Sequence, residues 1–397
     1  MNNTYKKNII KLLFSQSVSI FGSSLVEFAI IWHITLTTES GVMMMVATLC
    51  TFLPRLIVSF FSGVIIDKYN RKILIILSDG FVALVTLVLA VLYINGFQNL
   101  ILIFITLALR SIGTGIQTPS INSFIAQIVN TKDLLRVNGI NNSLQSLITL
   151  IAPAISGVIM ATISLSLIFF IDVITAIAAI IIMSLIKYEK KSGITNVKNN
   201  YIVELRAGIE YVKNNKLIKH MLVILSVYYL LITPVALLCQ LIIARNFGNE
   251  VWRLTLNEVF FSIGSMIGGI LISKIGKMFG EYSVLIYSCL IIGILNVFLG
   301  FTNFTLFIVT MFVLGTFMAL FSSAQISIIQ KNVDSRMHGR VFGFVQIVTN
   351  AGFPIGMIVF GPLGDYVDLL YIFSFAGIGL FILGVLLRFK QKKCYKN

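Results

Sequence analysis

The chain alternates long apolar runs with short polar loops, and the runs have the length of membrane-spanning helices. Two stretches, Val137 to Ile171 and Tyr282 to Gln330, contain no Asp, Glu, Lys or Arg. Because about 20 apolar residues cross a bilayer core as a helix, each stretch corresponds to two helices joined by a turn. A window of about 19 residues predicts twelve spans, at residues 12–35, 42–66, 73–94, 100–124, 138–162, 165–186, 221–243, 254–273, 282–300, 305–328, 341–361 and 369–387.

One sizeable polar segment, residues 187–220, divides these spans into two groups of six. We therefore predict an N-terminal six-helix bundle at residues 1–186, a cytoplasmic linker at 187–220, and a C-terminal six-helix bundle with a cytoplasmic tail at 221–397. Apolar residues between 202 and 212 recur at helical spacing. This pattern fits either a short amphipathic helix on the inner leaflet or a partly ordered linker.

The composition excludes a water-soluble globular protein. Hydrophobic residues make up 57% of the chain and charged residues 11%, whereas soluble domains average about 45 to 50% and about 25%. The net charge of +15 would otherwise suggest a nucleic-acid partner, but no stretch is long enough to form a basic soluble domain. The four cysteines and three histidines lack the spacing of a disulfide framework or a zinc site, so we expect no cofactor and no metal.

Positive charges are distributed unevenly along the chain, and this predicts its orientation. If both termini are cytoplasmic, 26 of the 30 Lys and Arg residues fall in inner segments. The outer loops then hold only Arg245 and Arg253. Since Lys and Arg collect in loops that stay in the cytoplasm, we expect a multi-pass protein of the plasma membrane with both termini inside. We also expect it to be monomeric in the lipid bilayer and to have no nucleic-acid partner.

The loop after the second span carries a motif, Gly-Val-Ile-Ile-Asp-Lys-Tyr-Asn-Arg-Lys at residues 63–72. It resembles the inner-loop motif of the major facilitator superfamily, which has glycine, three residues, aspartate, a basic residue, any residue, glycine and two basic residues. Asn70 replaces the second glycine, and asparagine tolerates a left-handed backbone better than most residues, so we expect the turn to persist. The matching positions are Gly63, Asp67, Asn70, Arg71 and Lys72.

This resemblance implies an all-α integral membrane protein with the major facilitator fold, in which twelve transmembrane helices form two six-helix pseudo-repeat bundles. In the family, the inner loop latches the two halves together on the cytoplasmic face. The resemblance therefore implies that Asp67 faces the helix start near residues 339–341, where unpaired N–H groups favour an anion. Ser273 occupies the corresponding place in the second half, so we expect the symmetric latch to be weaker.

Two further motifs resemble the family with departures. Residues 109–115 are similar to its mid-span arginine followed by glycines, with altered spacing. The fifth span reads Ala-Pro-Ala-Ile-Ser-Gly where the family's exporter motif has Gly-Pro-x-x-Gly-Gly, so small residues keep close packing while specificity for antiport is reduced. The matching positions are Ala152, Pro153, Ser156 and Gly157. In finer detail, residues 110–114, 118–119 and 143–146 resemble the macrolide-efflux branch.

Ionisable residues inside spans are candidates for function, since each costs about 2.5 to 3.5 kcal/mol at a helix centre. At about 1.5 Å per residue, Glu27 and Arg110 differ in depth by roughly 7 Å, within reach of long side chains. Asp79 and Arg55 lie at similar depths. Either pair could be a static ion pair that only positions helices. Asp172 is either a second site or a helix-packing residue.

Our leading hypothesis assigns proton exchange or cation binding to Glu27. A low-dielectric cavity favours the protonated form of this acid, whereas a nearby Arg110 favours the ionised form. A carboxyl group that is subject to both effects can release its proton and bind a cationic drug in its place. The sequence therefore predicts a proton-coupled secondary transporter that exports a lipophilic, macrolide-like drug by alternating access, and not an enzyme. The alternatives are an exporter or importer of a small metabolite and a non-transporting membrane sensor on the same fold.

Overall fold

The structure is a computed structural model that describes residues 3–130, 133–186, 210, 212–300, 303–333 and 338–394, and every regular element in these ranges is a helix. Twelve segments of the described chain are long and apolar enough to cross a membrane, which confirms the predicted fold class. The helices are α1 (Asn3–Thr38), α2 (Gly41–Lys68), α3 (Arg71–Ile94), α4 (Leu100–Ile128), α5 (Leu134–Thr162), α6 (Leu165–Ser184), α7 (Lys216–Thr233), a π-helical turn (Pro234–Leu238), α8 (Cys239–Phe247), α9 (Val251–Phe279), α10 (Glu281–Leu299), α11 (Phe304–Asn332), α12 (His338–Tyr366) and α13 (Leu369–Cys394).

Most helices extend beyond the predicted apolar spans. The helix α1 begins at Asn3 rather than near residue 12, and α9 ends at Phe279 rather than near residue 273. A hydropathy window detects only the part of a helix that is apolar, whereas backbone hydrogen bonding continues through its polar ends. The seventh span combines α7, the π-helical turn and α8 into one segment, Leu217–Phe247.

Four helices begin at an asparagine whose side chain accepts a hydrogen bond from a backbone N–H in the first turn. Asn70 caps α3 through the N–H of Lys72 at 3.0 Å, and Asn99, Asn215 and Asn303 cap α4, α7 and α11. Asn70 has φ −69° and ψ 117°, an extended conformation. Asn70 is therefore not left-handed but serves as the N-cap of α3, and the chain still turns between α2 and α3 as expected.

The chain forms two compact units. Unit 1 comprises Met1–Thr38, Val46–Ile194 and Glu250–Thr255, and unit 2 comprises Glu39–Met45, Thr195–Asn249 and Leu256–Asn397. In unit 1, α1 packs against α5 and α6, and α3 packs against α4 and α6. In unit 2, α10 packs against α11 and α13, and α7 packs against α12.

The linker lies largely outside the described residues. The stretch between residues 202 and 212, where the sequence fits either an amphipathic helix or a partly ordered linker, is described only at its end. The domain bounds of 1–186, 187–220 and 221–397 therefore stay a prediction.

The helices α1 and α6 approach each other closely in the interior of unit 1. A Cβ atom added at Gly22 would lie 1.8 Å from Oγ1 of Thr175, so no larger residue fits there without displacing α6. Glycine at such contacts lets the backbones of membrane helices come close together. The neighbouring Ser23 on α1 is thereby brought within hydrogen-bonding distance of Asp172 on α6.

Candidate functional site

A column of polar side chains runs through the interior of unit 1, and four helices contribute to it. Residues on each helix are spaced four or seven apart, which places them on one face of that helix. We call this set the polar column. Its members are Ser19 and Ser23 of α1, Asp79 and Thr86 of α3, Arg110 and Gln117 of α4, and Asp172 of α6.

One level of the polar column is built around an ion pair. The guanidinium group of Arg110 pairs with Oδ2 of Asp172, and 9% and 1% of their side-chain surfaces are exposed. Thr86 donates its hydroxyl to Oδ2 of Asp172 at 3.0 Å, and Ser23 donates to Oδ1 at 2.9 Å. Arg110 also donates to the hydroxyl of Thr86 and, at 3.4 Å, to the backbone carbonyl of Ser23. Both charges are therefore compensated and hydrogen-bonded.

The other level is built around Asp79, of which 2% is exposed. Ser19 donates its hydroxyl to Oδ1 at 2.6 Å, and the side-chain amide of Gln117 donates to the same oxygen. The second oxygen, Oδ2, is buried and has no hydrogen-bond partner within the described ranges. No ion pair to Asp79 is found there either. Asp79 is therefore a buried carboxyl group with hydrogen bonds to only one of its two oxygens within the described ranges.

Arg110 does not pair with Glu27, which was one of the alternatives that the sequence allowed, but with Asp172. Glu27 is exposed. The partner of Arg110 depends on the direction in which each side chain points around its helix, and the depth of a residue in its span does not fix that direction.

The predicted pairing of Asp79 with Arg55 is also wrong. Asp79 is bound by Ser19 and Gln117, whereas the side chain of Arg55 is exposed. The reason lies in the packing, because α3 packs against α4 and α6, and Arg55 belongs to α2. The backbone N–H of Arg55 donates to the hydroxyl of Ser111 on α4 at 2.9 Å.

The two basic residues that end the inner-loop motif hold helices of unit 1 together. Arg71 donates to Oε1 of Gln127 on α4 at 3.2 Å. Lys72 donates to the backbone carbonyls of Ser184 and Ile186 at 2.7 and 2.8 Å, at the end of α6. A cation at a helix C-terminus is favoured by the carbonyl groups that lack intrahelical partners. These residues therefore fix the start of α3 to the ends of α4 and α6.

The proposed latch itself stays a prediction. The side chains of Asp67, Gly339 and Arg340 lie outside the part of the chain whose side chains are described. Gly63 is exposed, and an added Cβ atom would meet nothing within 4 Å there.

The exporter-like motif of the fifth span lies in a tight helix contact. Ser156 donates its hydroxyl to the backbone carbonyl of Leu25 at 3.1 Å, which joins α5 to α1. A Cβ atom added at Gly157 would lie 1.9 Å from Oγ1 of Thr255 in the first turns of α9. The motif residues are all buried, namely Ala152, Pro153, Ser156 and Gly157. Small side chains at these positions permit the close contact that the sequence predicted.

An apolar groove of about 670 Å³ lies between α1 and α5 and is lined only by residues of unit 1. We call it the α1–α5 groove. Its walls include Phe14 and Phe21 on α1 and Leu144 and Leu147 on α5, while charged residues occupy one end. A volume of this size, with mostly apolar walls, is typical of sites for small ligands.

The chain matches the family model described as transmembrane secretion effector, over residues 4–396. The protein belongs to this family of the major facilitator superfamily. It is similar to macrolide efflux protein A of Streptococcus pyogenes, with 26% identity over 379 residues that cover 94% of each chain. It is also similar to the staphyloferrin A transporter of Staphylococcus aureus, with 21% identity over 389 residues that cover 96% of each chain.

Solved structures agree with this fold. The crystal structure of nucleoside transporter NupG matches with a TM-score of 0.73 at 13% identity, over 97% of this chain and 98% of that chain. At that identity the likeness establishes the fold alone. The resemblances to the major facilitator superfamily and to macrolide efflux proteins are therefore confirmed at the level of family and fold.

The uncharged members of the polar column were not identified from the sequence. Hydroxyl and amide residues are frequent in membrane helices, so Ser19, Ser23, Thr86 and Gln117 gave no signal individually. Their spacing was informative, because Thr86 follows Asp79 by two turns and Gln117 follows Arg110 by two turns. Polar residues two turns from an intramembrane charge lie on the same helix face, and a search for such pairs would have found them.

Proposed function

We propose that the protein is a proton-coupled secondary transporter that exports a lipophilic, macrolide-like compound from the cytoplasm. Its membership of a transporter family and its similarity to macrolide efflux proteins support the substrate class. The proposed proton coupling rests on Asp79, a buried acid with one oxygen that has no partner within the described ranges. The other buried acid of the column, Asp172, is already paired with Arg110.

The polar column provides a physical basis for proton exchange. Arg110 is the one basic side chain among the buried residues that the structure describes, and it pairs with Asp172. A second ionised acid in the same interior would have no cation of its own. Asp79 therefore holds a proton while the column is dry and releases it when water reaches the column and solvates the carboxylate.

Glu27 retains a role in this proposal as the acid that contacts the substrate. Its side chain is exposed on α1, and no ion pair of Glu27 is found within the described ranges. An exposed carboxylate attracts the ammonium group of a cationic drug. Glu27 then selects the substrate, while Asp79 carries the proton.

The direction of transport rests on the charge distribution of the chain. We propose a plasma membrane location with both termini in the cytoplasm, because 26 of the 30 Lys and Arg residues would then face that side. A monomer with two halves that open alternately to each side would suffice for transport.

The test uses the purified full chain in proteoliposomes. A pH gradient is imposed, acidic on the side toward which export proceeds, and movement of a fluorescent lipophilic cation and of a macrolide is followed. We expect gradient-driven movement that disappears when a protonophore collapses the gradient. Movement driven equally well by a sodium gradient at constant pH would contradict proton coupling.

A small metabolite is the second candidate substrate, supported by the similarity to the staphyloferrin A transporter. Including staphyloferrin A in the same vesicle assay separates the two candidates. Competition by staphyloferrin A, but not by macrolides, would favour the metabolite.

A further inference from the structure

The α1–α5 groove has the chemistry of a lipid site rather than of a purely apolar pocket. We infer that it binds a single anionic phospholipid, with the phosphate at Lys6 and Arg136 and an acyl chain along the apolar walls. The inference is independent of the proposed transport function, since it concerns only the groove and its charged end.

The length of the groove matches one leaflet of a bilayer. On α1 the lining runs from Lys6 to Phe21, and on α5 it runs from Arg136 to Ile151. At about 1.5 Å per residue, each wall is about 22 Å long. One leaflet contributes about 15 Å to the hydrocarbon core. If the phosphate of a lipid lies at the charged end, its acyl chain therefore extends along the groove within the same leaflet.

The charges at the end of the groove favour an anion. Asp133 is the one acid in the lining, and its carboxylate accepts the hydroxyl hydrogen of Tyr5 at 3.1 Å. That hydroxyl also accepts the backbone N–H of Asn130 at 2.9 Å, so the carboxylate of Asp133 is held by Tyr5 of α1.

Lys6 and Arg136 are exposed, and no ion pair of either is found within the described ranges. A guanidinium fork binds phosphate oxygens in a bidentate manner, and an ammonium group adds a point charge. Lys6 and Arg136 lie at the same end of the groove and can therefore bind one phosphodiester group together.

The walls of the groove favour an acyl chain. Ile10 and Phe14 on α1 are 56% and 58% exposed, and Leu147 on α5 is 50% exposed. These side chains form concave walls around a volume of about 670 Å³, so a flexible chain can contact both helices at once. A neutral lipophilic compound would use the walls but would leave the two cations without a partner.

The test measures retention of phosphatidylglycerol by the full chain in detergent, using native mass spectrometry and lipid titration. Phosphatidylcholine serves as the neutral reference lipid. We expect one tightly held phosphatidylglycerol, and about 25-fold weaker binding in the Lys6→Ala/Arg136→Ala variant, at about fivefold for each basic residue. The matched control is Lys274→Ala/Lys277→Ala, which removes two exposed cations of α9 and is expected to leave the affinity unchanged.

A second variant tests the apolar walls separately from the charges. Leu147→Trp adds bulk to the groove and keeps both cations, so we expect it to weaken phosphatidylglycerol binding at least fivefold. Equal binding of the two lipids, an equal loss in the α9 control, or full affinity in Leu147→Trp would each overturn the inference. Binding of a macrolide in the groove with no phosphatidylglycerol retained would also overturn the inference and would assign the groove to the substrate.

Discussion

Arg110 and Asp172 form an ion pair in the interior of unit 1, joining α4 to α6. Hydroxyl groups of Ser23 and Thr86 occupy both oxygens of the carboxylate. A buried pair of this kind contributes little net free energy of folding by itself, but the removal of one partner leaves an uncompensated charge. Arg110 is therefore committed to Asp172, and no ion pair of Asp79 is found within the described ranges.

Asp172→Asn is expected to destabilise the protein by about 3 to 5 kcal/mol, because it leaves the buried guanidinium group unpaired. Thermal unfolding in detergent measures the effect. Lys331→Ala is the control, since Lys331 pairs with Glu281 at the surface with 64% of its side chain exposed, and such pairs contribute about 0 to 1 kcal/mol. Equal losses in the two variants would show that the buried pair has no special role.

Asn70→Ala is expected to reduce stability by about 1 kcal/mol, because it removes the side chain that caps α3. Asn70→Ser keeps a capping oxygen and should retain most of the stability. Thermal unfolding and hydrogen exchange at Lys72 provide the measurement. If Asn70→Gly were more stable than the unchanged protein, the residue would instead need the left-handed conformation that the family's glycine suggests.

Asp365→Ala is expected to loosen the first turn of α2. The carboxylate of Asp365 accepts the backbone N–H groups of Gly41 and Val42 at 2.6 and 3.0 Å and pairs with Arg245 at 2.9 Å. Hydrogen exchange at Val42 should accelerate at least tenfold, as expected for a lost cap of about 1.4 kcal/mol. Asp368→Ala is the matched control, because Asp368 caps Leu370 at 3.0 Å and should not affect Val42. Unchanged exchange at Val42 in Asp365→Ala would contradict the capping role.

Glu27→Gln is expected to change substrate affinity and to leave proton coupling intact. The loss of an exposed carboxylate should raise the KM for a cationic dye about tenfold, the value of one charge-assisted hydrogen bond, and leave the KM of an uncharged substrate unchanged. Initial rates in proteoliposomes at several concentrations provide the measurement. Loss of gradient-driven transport for both substrates would return the proton-carrying role to Glu27.

The fold was predictable from the sequence because hydropathy and helix length are one-dimensional properties. The depth of Glu27, Asp79 and Arg110 in their spans followed from counting residues, but the direction of each side chain around its helix did not. That direction decides the partners, and it depends on which helices pack together. Arg110 therefore reaches α6 instead of Glu27, and Asp79 binds Ser19 instead of Arg55.

Local capping was a second point that the motif resemblance did not predict. A glycine in the family motif suggested a left-handed turn at Asn70, whereas the side chain of asparagine can itself accept a backbone N–H. The hydrogen bonds of the basic residues that follow were also not predicted. Arg71 and Lys72 bind acceptors at the ends of α4 and α6 within unit 1, and the latch between the halves stays a prediction.

The most direct test of proton exchange at Asp79 compares Asp79→Asn with the unchanged protein in proteoliposomes. Two rates are measured with the same labelled substrate, namely accumulation driven by a pH gradient and exchange across vesicles without a gradient. We predict that Asp79→Asn abolishes gradient-driven accumulation and retains exchange, because the amide keeps its bonds to Ser19 and Gln117 but cannot release a proton. Gradient-driven accumulation at the full rate in Asp79→Asn would contradict the account.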